Sequence, residues 1–235
     1  MTSGIATAES VGMSSERLGR IRPAMESWVD RGIIAGASMM IARRNRIVYA
    51  EQVGQADKEA GTPMPGDALF RIFSMTKPIV CTALMTLYEE GRFQLYTPVS
   101  KFIPGFGQAK VMRKNAAGGT VLEEVTRPAT VGDLMKHTAG LTYDFLVDSP
   151  VAELYREAEL AHDAGRSLEE FVDALVQFPL AYQPGSLWHY SLSIDVAAYL
   201  VQLLSDRPLR DALQERIFAP LGMDDTDFCV PDEKR

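Results

Sequence analysis

The chain has 235 residues, of which 46% are hydrophobic and 23% charged, and carries a formal net charge of −7. That is ample apolar material for a core in an ordinary globular balance, which argues against a disordered chain. The acidic excess, with Arg43-Arg44-Asn45-Arg46 as its densest positive run, leaves no footprint for nucleic acid.

Taken in order, Ser14 or Ser15 opens an amphipathic helix through Ile21, Met25 and Trp28 to Arg31, with Gly32 placed to end it. Strands are predicted at 36–43 and 46–54, joined at Arg44-Asn45 into an antiparallel hairpin. The apolar run 69–73 leads into a helix that carries Ile79, Val80, Ala83, Leu84 and Leu87 at helical spacing and closes at Gly91. Residues 105–129 read as a loop containing a hairpin, and Thr130 caps a short helix to Lys136. Ser149-Pro150 supplies an N-cap and first-position proline for 150–162, and Ser167-Leu168-Glu169-Glu170 is a capping box for 168–177. Helices follow from Ser193 to Leu204 and from Pro208 to Arg216, with a strand near Thr226–Val230.

The chemistry-bearing feature is Ser74-Met75-Thr76-Lys77 at the start of the first long helix. Residues three apart on a helix share a face, so Lys77 comes beside the Ser74 hydroxyl. A serine is a weak nucleophile until a neighbouring base takes its proton, and free N–H groups at a helix start favour charge developing on a carbonyl oxygen. The same four residues also suit an ordinary N-cap followed by a solvated lysine, although a first-turn lysine lies on the unfavourable side of the helix dipole. Gly36-Ala37-Ser38-Met39-Met40 lacks the last glycine of a nucleophile elbow, so Ser38 is read as structural. His137, His162 and His189 have no paired spacing, and Cys81 and Cys229 form no zinc pattern. No metal or other cofactor is expected. Both cysteines are expected to be reduced, with Cys81 buried beside the nucleophile helix.

Phe70-Arg71-Ile72-Phe73-Ser74-Met75-Thr76-Lys77-Pro78 resembles the active-site segment of the serine β-lactamase-like superfamily, especially class C β-lactamases and family VIII carboxylesterases. Segments 133–141 (Asp133 to Leu141, with His137-Thr138-Ala139-Gly140), 184–192 (Pro184-Gly185 to Tyr190-Ser191-Leu192) and 220–226 (Pro220-Leu221-Gly222-Met223) resemble further motifs of that superfamily, in the same order. The resemblance implies an α/β fold of the β-lactamase/DD-peptidase type, an antiparallel sheet flanked by helices plus a mostly helical part. Residues 1–73 with 205–235 would form the sheet part, and 74–204 the helical part bearing the site. It further implies Ser74 as the acylated nucleophile, Lys77 as its partner and Tyr190 as the third catalytic group, with general-base work shared between Lys77 and Tyr190.

Two departures shape the expected function. Class C enzymes have an asparagine two residues after the tyrosine, where this chain has Leu192, so a polar contact to a β-lactam amide is missing, at about 1–3 kcal/mol. A small carboxylic ester is therefore the expected substrate, ahead of a β-lactam, with Leu192, Trp188, Tyr143 and Phe145 as expected contacts and an inactive fragment or binding homologue as the remaining alternative. The superfamily's late-strand motif has no counterpart before Arg235, so the sheet is expected to be incomplete, with an open edge that invites a homodimer. His189, next to Tyr190, is read either as facing the pocket or as a rim or core histidine. The N-terminus lacks a basic region followed by an apolar core, and no apolar run reaches spanning length, so a cytoplasmic protein with no membrane partner is expected.

Overall fold

A computed structural model describes residues 4–147, 149–161 and 165–232. The chain forms two compact units, one through Arg71 and one from Ile72.

In the first unit, α1 (Ser15–Leu18) and α2 (Ile21–Asp30) replace the single expected helix. Pro23 explains the break. In a continuous helix it would lose a hydrogen bond to the Gly19 carbonyl and press its ring on it, whereas in the first turn of α2 it costs little. Ser14 caps α1 by accepting from the Arg17 N–H. Strands β1 (Gly36–Arg43) and β2 (Arg46–Asp57) pair antiparallel, and β2 runs past its expected end to meet the short β3 (Thr62–Pro63). Arg44 and Asn45 both take positive φ, 53° and 57°, the turn geometry that follows strand twist. Val48, Tyr49, Leu18, Val11 and Ala8 form this unit's small core.

The second unit is mainly helical. Its centre is α3 (Thr76–Glu89), followed by the hairpin β4 (Lys110–Lys114) and β5 (Thr120–Glu124), α4 (Val131–Met135), α5 (Pro150–Glu157), α6 (Leu168–Leu175), α7 (Ser193–Ser205) and α8 (Leu209–Leu213). α3 packs on α7, and Val80, Leu84 and Leu87 meet Val196, Leu200 and Val201 in one continuous core. The caps fall where expected: Thr130 and Ser167 close capping boxes with Asp133 and Glu170, and Ser149 accepts from the Val151 N–H.

Four expectations are corrected here. α5 ends at Glu157, five residues early, in a turn with Glu159 at φ 46°; the end expected at His162 lies outside the described residues. The segment from Pro208 passes Arg216 through a wide turn at Gln214–Phe218 and a last turn at Ala219–Leu221. No strand forms at 226–230 among the described residues, because Asp227 is drawn to Arg210 of α8 by a two-point ion pair that fixes a turn. Residues 205–232 belong to the helical unit, not to the sheet part. Ala212, Leu213, Ile217 and Phe218 are buried in its core.

Candidate active site

Ser74 lies in a single tight turn, Phe73–Met75, immediately before α3. Phe73 takes φ 44°, unusual for a large side chain and a form of local strain that clusters at functional positions. The N–H groups of Met75 and Thr76 are already taken by the Ile72 and Phe73 carbonyls. One turn on, Lys77 Nζ donates to Ser74 Oγ at 3.2 Å, and the Tyr190 hydroxyl is 2.5 Å from the same oxygen. Lys77 Nζ also lies 4.9 Å from the centre of the Tyr190 ring and 5.6 Å from that of Tyr143. The three residues named from sequence thus meet, across 116 positions, within hydrogen-bonding reach.

Tyr190 is placed by loop 184–192 running beside loop 137–142. Gly185 N–H donates to the Thr138 carbonyl at 2.7 Å, His189 N–H to His137 at 2.8 Å and Leu192 N–H to Thr142 at 3.3 Å. Ser191 N–H meets His137 Nδ1 at 3.3 Å, so the His137 ring lies 4.9 Å from that of Tyr190. Gly140, at φ 89°, permits the close approach, since a Cβ there would lie 2.1 Å from the Tyr182 carbonyl oxygen. Beneath the loops, buried Asp133 accepts from Arg127 at 2.7 and 2.9 Å, from Thr138 Oγ1 at 2.8 Å and from Thr130 N–H at 2.9 Å. Burial works to raise the Asp133 pKa, but these donors outweigh it and hold the carboxyl well below the ordinary range.

The electrostatics separate Lys77 from Tyr190. Burial acts to lower Lys77, yet the Tyr190 and Tyr143 hydroxyls override it, so the ammonium is held above its ordinary pKa. Burial acts to raise Tyr190, and its hydrogen bonds with Lys77 and Ser74 override that, so its pKa falls. Tyr143 is pushed up, by burial first and then by the charge of Asp195. His137 is pushed down by burial and by Lys77, towards the neutral ring.

Of the expected contacts, Tyr143 stacks on Phe145 at 4.8 Å and tilts against Tyr190 at 5.2 Å, while Trp188 stacks on Tyr190 at 6.4 Å. Phe145 and Trp188 are 63% and 66% exposed, so both ends of this aromatic row are open to a ligand. Leu192 does not join them. At 3% exposure its side chain is in the core at the foot of α7. His189 bonds Thr142 Oγ1 at 2.9 Å and packs on Tyr182, which makes it a strut of the loop. Cys81 is half-buried, not fully buried, and both cysteines are free. Sequence reasoning overlooked His137 and Asp195 as neighbours of the site. His137 sits inside a segment already singled out, but its φ of 55°, which turns the ring to Tyr190, has no local sequence mark.

A serine, a lysine one turn later and a tyrosine from a distant loop, all on one mainly helical unit, define a serine β-lactamase-like protein. The chain belongs to the Beta-lactamase family, whose profile matches residues 20–235. It is 34% identical over 205 residues to Esterase EstB of Burkholderia gladioli, covering 86% of this chain and 49% of that protein. It is 30% identical over 185 residues to Acyltransferase calJ of Penicillium decumbens, covering 77% and 43%. Among solved structures, EstCE1, described as a hydrolase with promiscuous acyltransferase activity, superimposes with TM-score 0.75 at 30% identity, covering 87% and 51%. The chain spans about half the length of the curated relatives it matches.

Proposed function

We propose that this chain carries the nucleophile, cation and base of a serine hydrolase that cleaves small carboxylic esters through an acyl-enzyme on Ser74. The observation behind it is the Ser74 oxygen shared by the Tyr190 hydroxyl at 2.5 Å and the Lys77 ammonium at 3.2 Å. Because Lys77 is held in its charged form and Tyr190 is eased towards ionisation, Tyr190 takes the Ser74 proton while Lys77 stabilises the phenolate. Ser74 Oγ adds to the ester carbonyl, the Ser74 N–H at the head of α3 steadies the oxyanion, and the Tyr190 proton passes to the departing alkoxide. A water, or an acceptor alcohol, then attacks the acyl group with Tyr190 again as base.

An ester is favoured over a β-lactam because the position two after Tyr190 is a leucine turned into the core, so it offers no partner to a β-lactam amide. Names among the relatives, an esterase and an acyltransferase, support acyl chemistry with either acceptor. No helix among the described residues is long and apolar enough to cross a membrane. The cytoplasmic placement and self-pairing through the free edge of β1 belong to the same proposal, the second tested by sedimentation. Turnover of short p-nitrophenyl esters against a chromogenic cephalosporin tests the substrate order. Faster cephalosporin turnover would reverse it, and Ser74→Ala activity equal to wild type would remove the mechanism.

A further inference from the structure

The loop 184–192 that carries Tyr190 is tied at its start to the segment between β5 and α4. Thr126 N–H donates to the Gln183 side-chain oxygen at 2.8 Å, and the Gln183 amide donates back to the Glu124 carbonyl at 3.0 Å. Two residues on, Gly185 takes φ 81°, and a Cβ there would lie 2.6 Å from Arg127 Cζ and 2.8 Å from its Nε. Glycine suits that position because the guanidinium occupies the place of a side chain. The same guanidinium donates to both oxygens of Asp133, at 2.7 and 2.9 Å, and to the Pro128 carbonyl at 3.1 Å. Asp133 accepts from Thr138 Oγ1 at 2.8 Å, and the Thr138 carbonyl accepts from the Gly185 N–H at 2.7 Å. Arg127, Asp133, Thr138 and Gly185 therefore form a closed circuit of contacts. In it one side chain touches loop 184–192 at Gly185 and reaches loop 137–142 through Asp133.

We propose that Arg127 is a positioning residue for Tyr190: its guanidinium, wedged between the Asp133 carboxylate and the Gly185 backbone, sets the spacing of the two loops and hence the 2.5 Å approach of the Tyr190 hydroxyl to Ser74 Oγ. This inference rests on the reading of Ser74, Lys77 and Tyr190 given above. Asp133 has further donors in Thr130 N–H, Thr130 Oγ1 and Thr138 Oγ1, so α4 and loop 137–142 keep ties of their own without the arginine. Gly185 offers no side chain to pack there, and its loop rests on the guanidinium instead. A planar fork suits both tasks, meeting two carboxylate oxygens at once while its carbon centre packs on the glycine; a lysine ammonium is a point donor that leaves the second place empty. A displacement of about 1 Å can cost about 10²-fold in rate, so loss of the wedge is read in turnover. Arg127 also lines a surface cavity of about 440 Å³ with Leu95, Tyr96 and Lys136, which gives a small planar cation a way in once the side chain is cut back.

The test is hydrogen exchange by mass spectrometry on wild type, Arg127→Ala and Arg127→Lys, followed over the peptide 184–192 and over α3 and α7, with ester turnover measured alongside. In Arg127→Ala, exchange of 184–192 is expected to quicken by about tenfold or more while α3 and α7 keep wild-type rates. Its kcat is expected to fall by about 10–100-fold with KM nearly unchanged. Millimolar guanidinium chloride should restore both readings, and methylammonium chloride at the same concentration should not. Arg127→Lys should fall between wild type and Arg127→Ala. Wild-type exchange of 184–192 in Arg127→Ala overturns the proposal, as does a rise spread equally over α3 and α7, which is what a loss of general stability gives. Equal rescue by both cations, or by neither, also overturns it. Should Arg127→Ala fail to fold, Arg127→Lys decides, since exchange of 184–192 at the wild-type rate there would contradict the need for a planar fork. Exchange needs no turnover, so failure of this inference is separate from a failure of Ser74 to acylate.

Discussion

The β1–β2 hairpin and the paired loops 137–142 and 184–192 are both ladders of backbone hydrogen bonds, but they are specified at different distances. The hairpin closes through two residues, Arg44 and Asn45, and its register follows from that turn. The loops meet some 50 positions apart, as in the contact of His137 with Ser191 at a separation of 54. They are held by a buried carboxylate, Asp133, and by a glycine, Gly140, that lets two backbones touch. Local rules suffice for the first. The second depends on long-range polar nodes, and Tyr190 sits on it.

If function belongs to the second region, the largest effects are in its side chains. Ser74→Ala should abolish ester turnover, and Lys77→Ala or Tyr190→Phe should lower it by about 10²–10⁴-fold, the usual worth of a positioned proton-transfer group. A turnover rate for Tyr190→Phe within twofold of wild type would break the assignment. Turnover in wild type should rise with pH through the lowered Tyr190 pKa, and that limb should be missing in Tyr190→Phe.

Gly140→Ala should come next, because the added Cβ meets the Tyr182 oxygen at 2.1 Å and φ is 89°. A loss of about 1–3 kcal/mol from backbone strain, read from urea unfolding, should accompany slower turnover. An unchanged midpoint would mean that the loops separate freely.

Asp133→Asn should cost about 1–3 kcal/mol, between the worth of an N-cap and that of a well-buried ion pair. The folded pKa of Asp133 is depressed, so its contribution is complete above the unfolded value of about 4 and is lost as pH falls through the folded one. Acid unfolding should therefore be shallower in Asp133→Asn than in wild type, and parallel curves would deny the node its role.

The smallest effect lies in the hairpin. Arg44→Asn with Asn45→Gly should raise stability by about 1 kcal/mol, since the arginine holds a positive φ that asparagine tolerates better. Turnover should not change; a slower enzyme would show that the hairpin is coupled to the site.

The same contrast explains what was legible in the sequence. Caps at Thr130, Ser149 and Ser167, the Arg44-Asn45 turn and the helical spacing of α3 and α7 are local signals, and each element is present. The Ser74–Lys77 pair is local too, while Tyr190 was found through the flanking motif rather than by any spacing rule. What escaped was set by tertiary contacts. The Arg210–Asp227 pair turned an expected strand into a bend, and the burial of Leu213 and Phe218 carried 205–232 into the helical unit. Leu192 reads as a pocket residue beside Tyr190, yet it is already the residue that leads into α7 and its side chain faces the core.

The most direct measurement is intact-mass spectrometry after brief exposure of this chain to a p-nitrophenyl phosphonate, with Ser74→Ala and Tyr190→Phe alongside. A single adduct on wild type, none on Ser74→Ala and a much slower one on Tyr190→Phe is the result this account predicts. A folded wild-type chain that gains no adduct, or a Tyr190→Phe variant that labels at the wild-type rate, would contradict it.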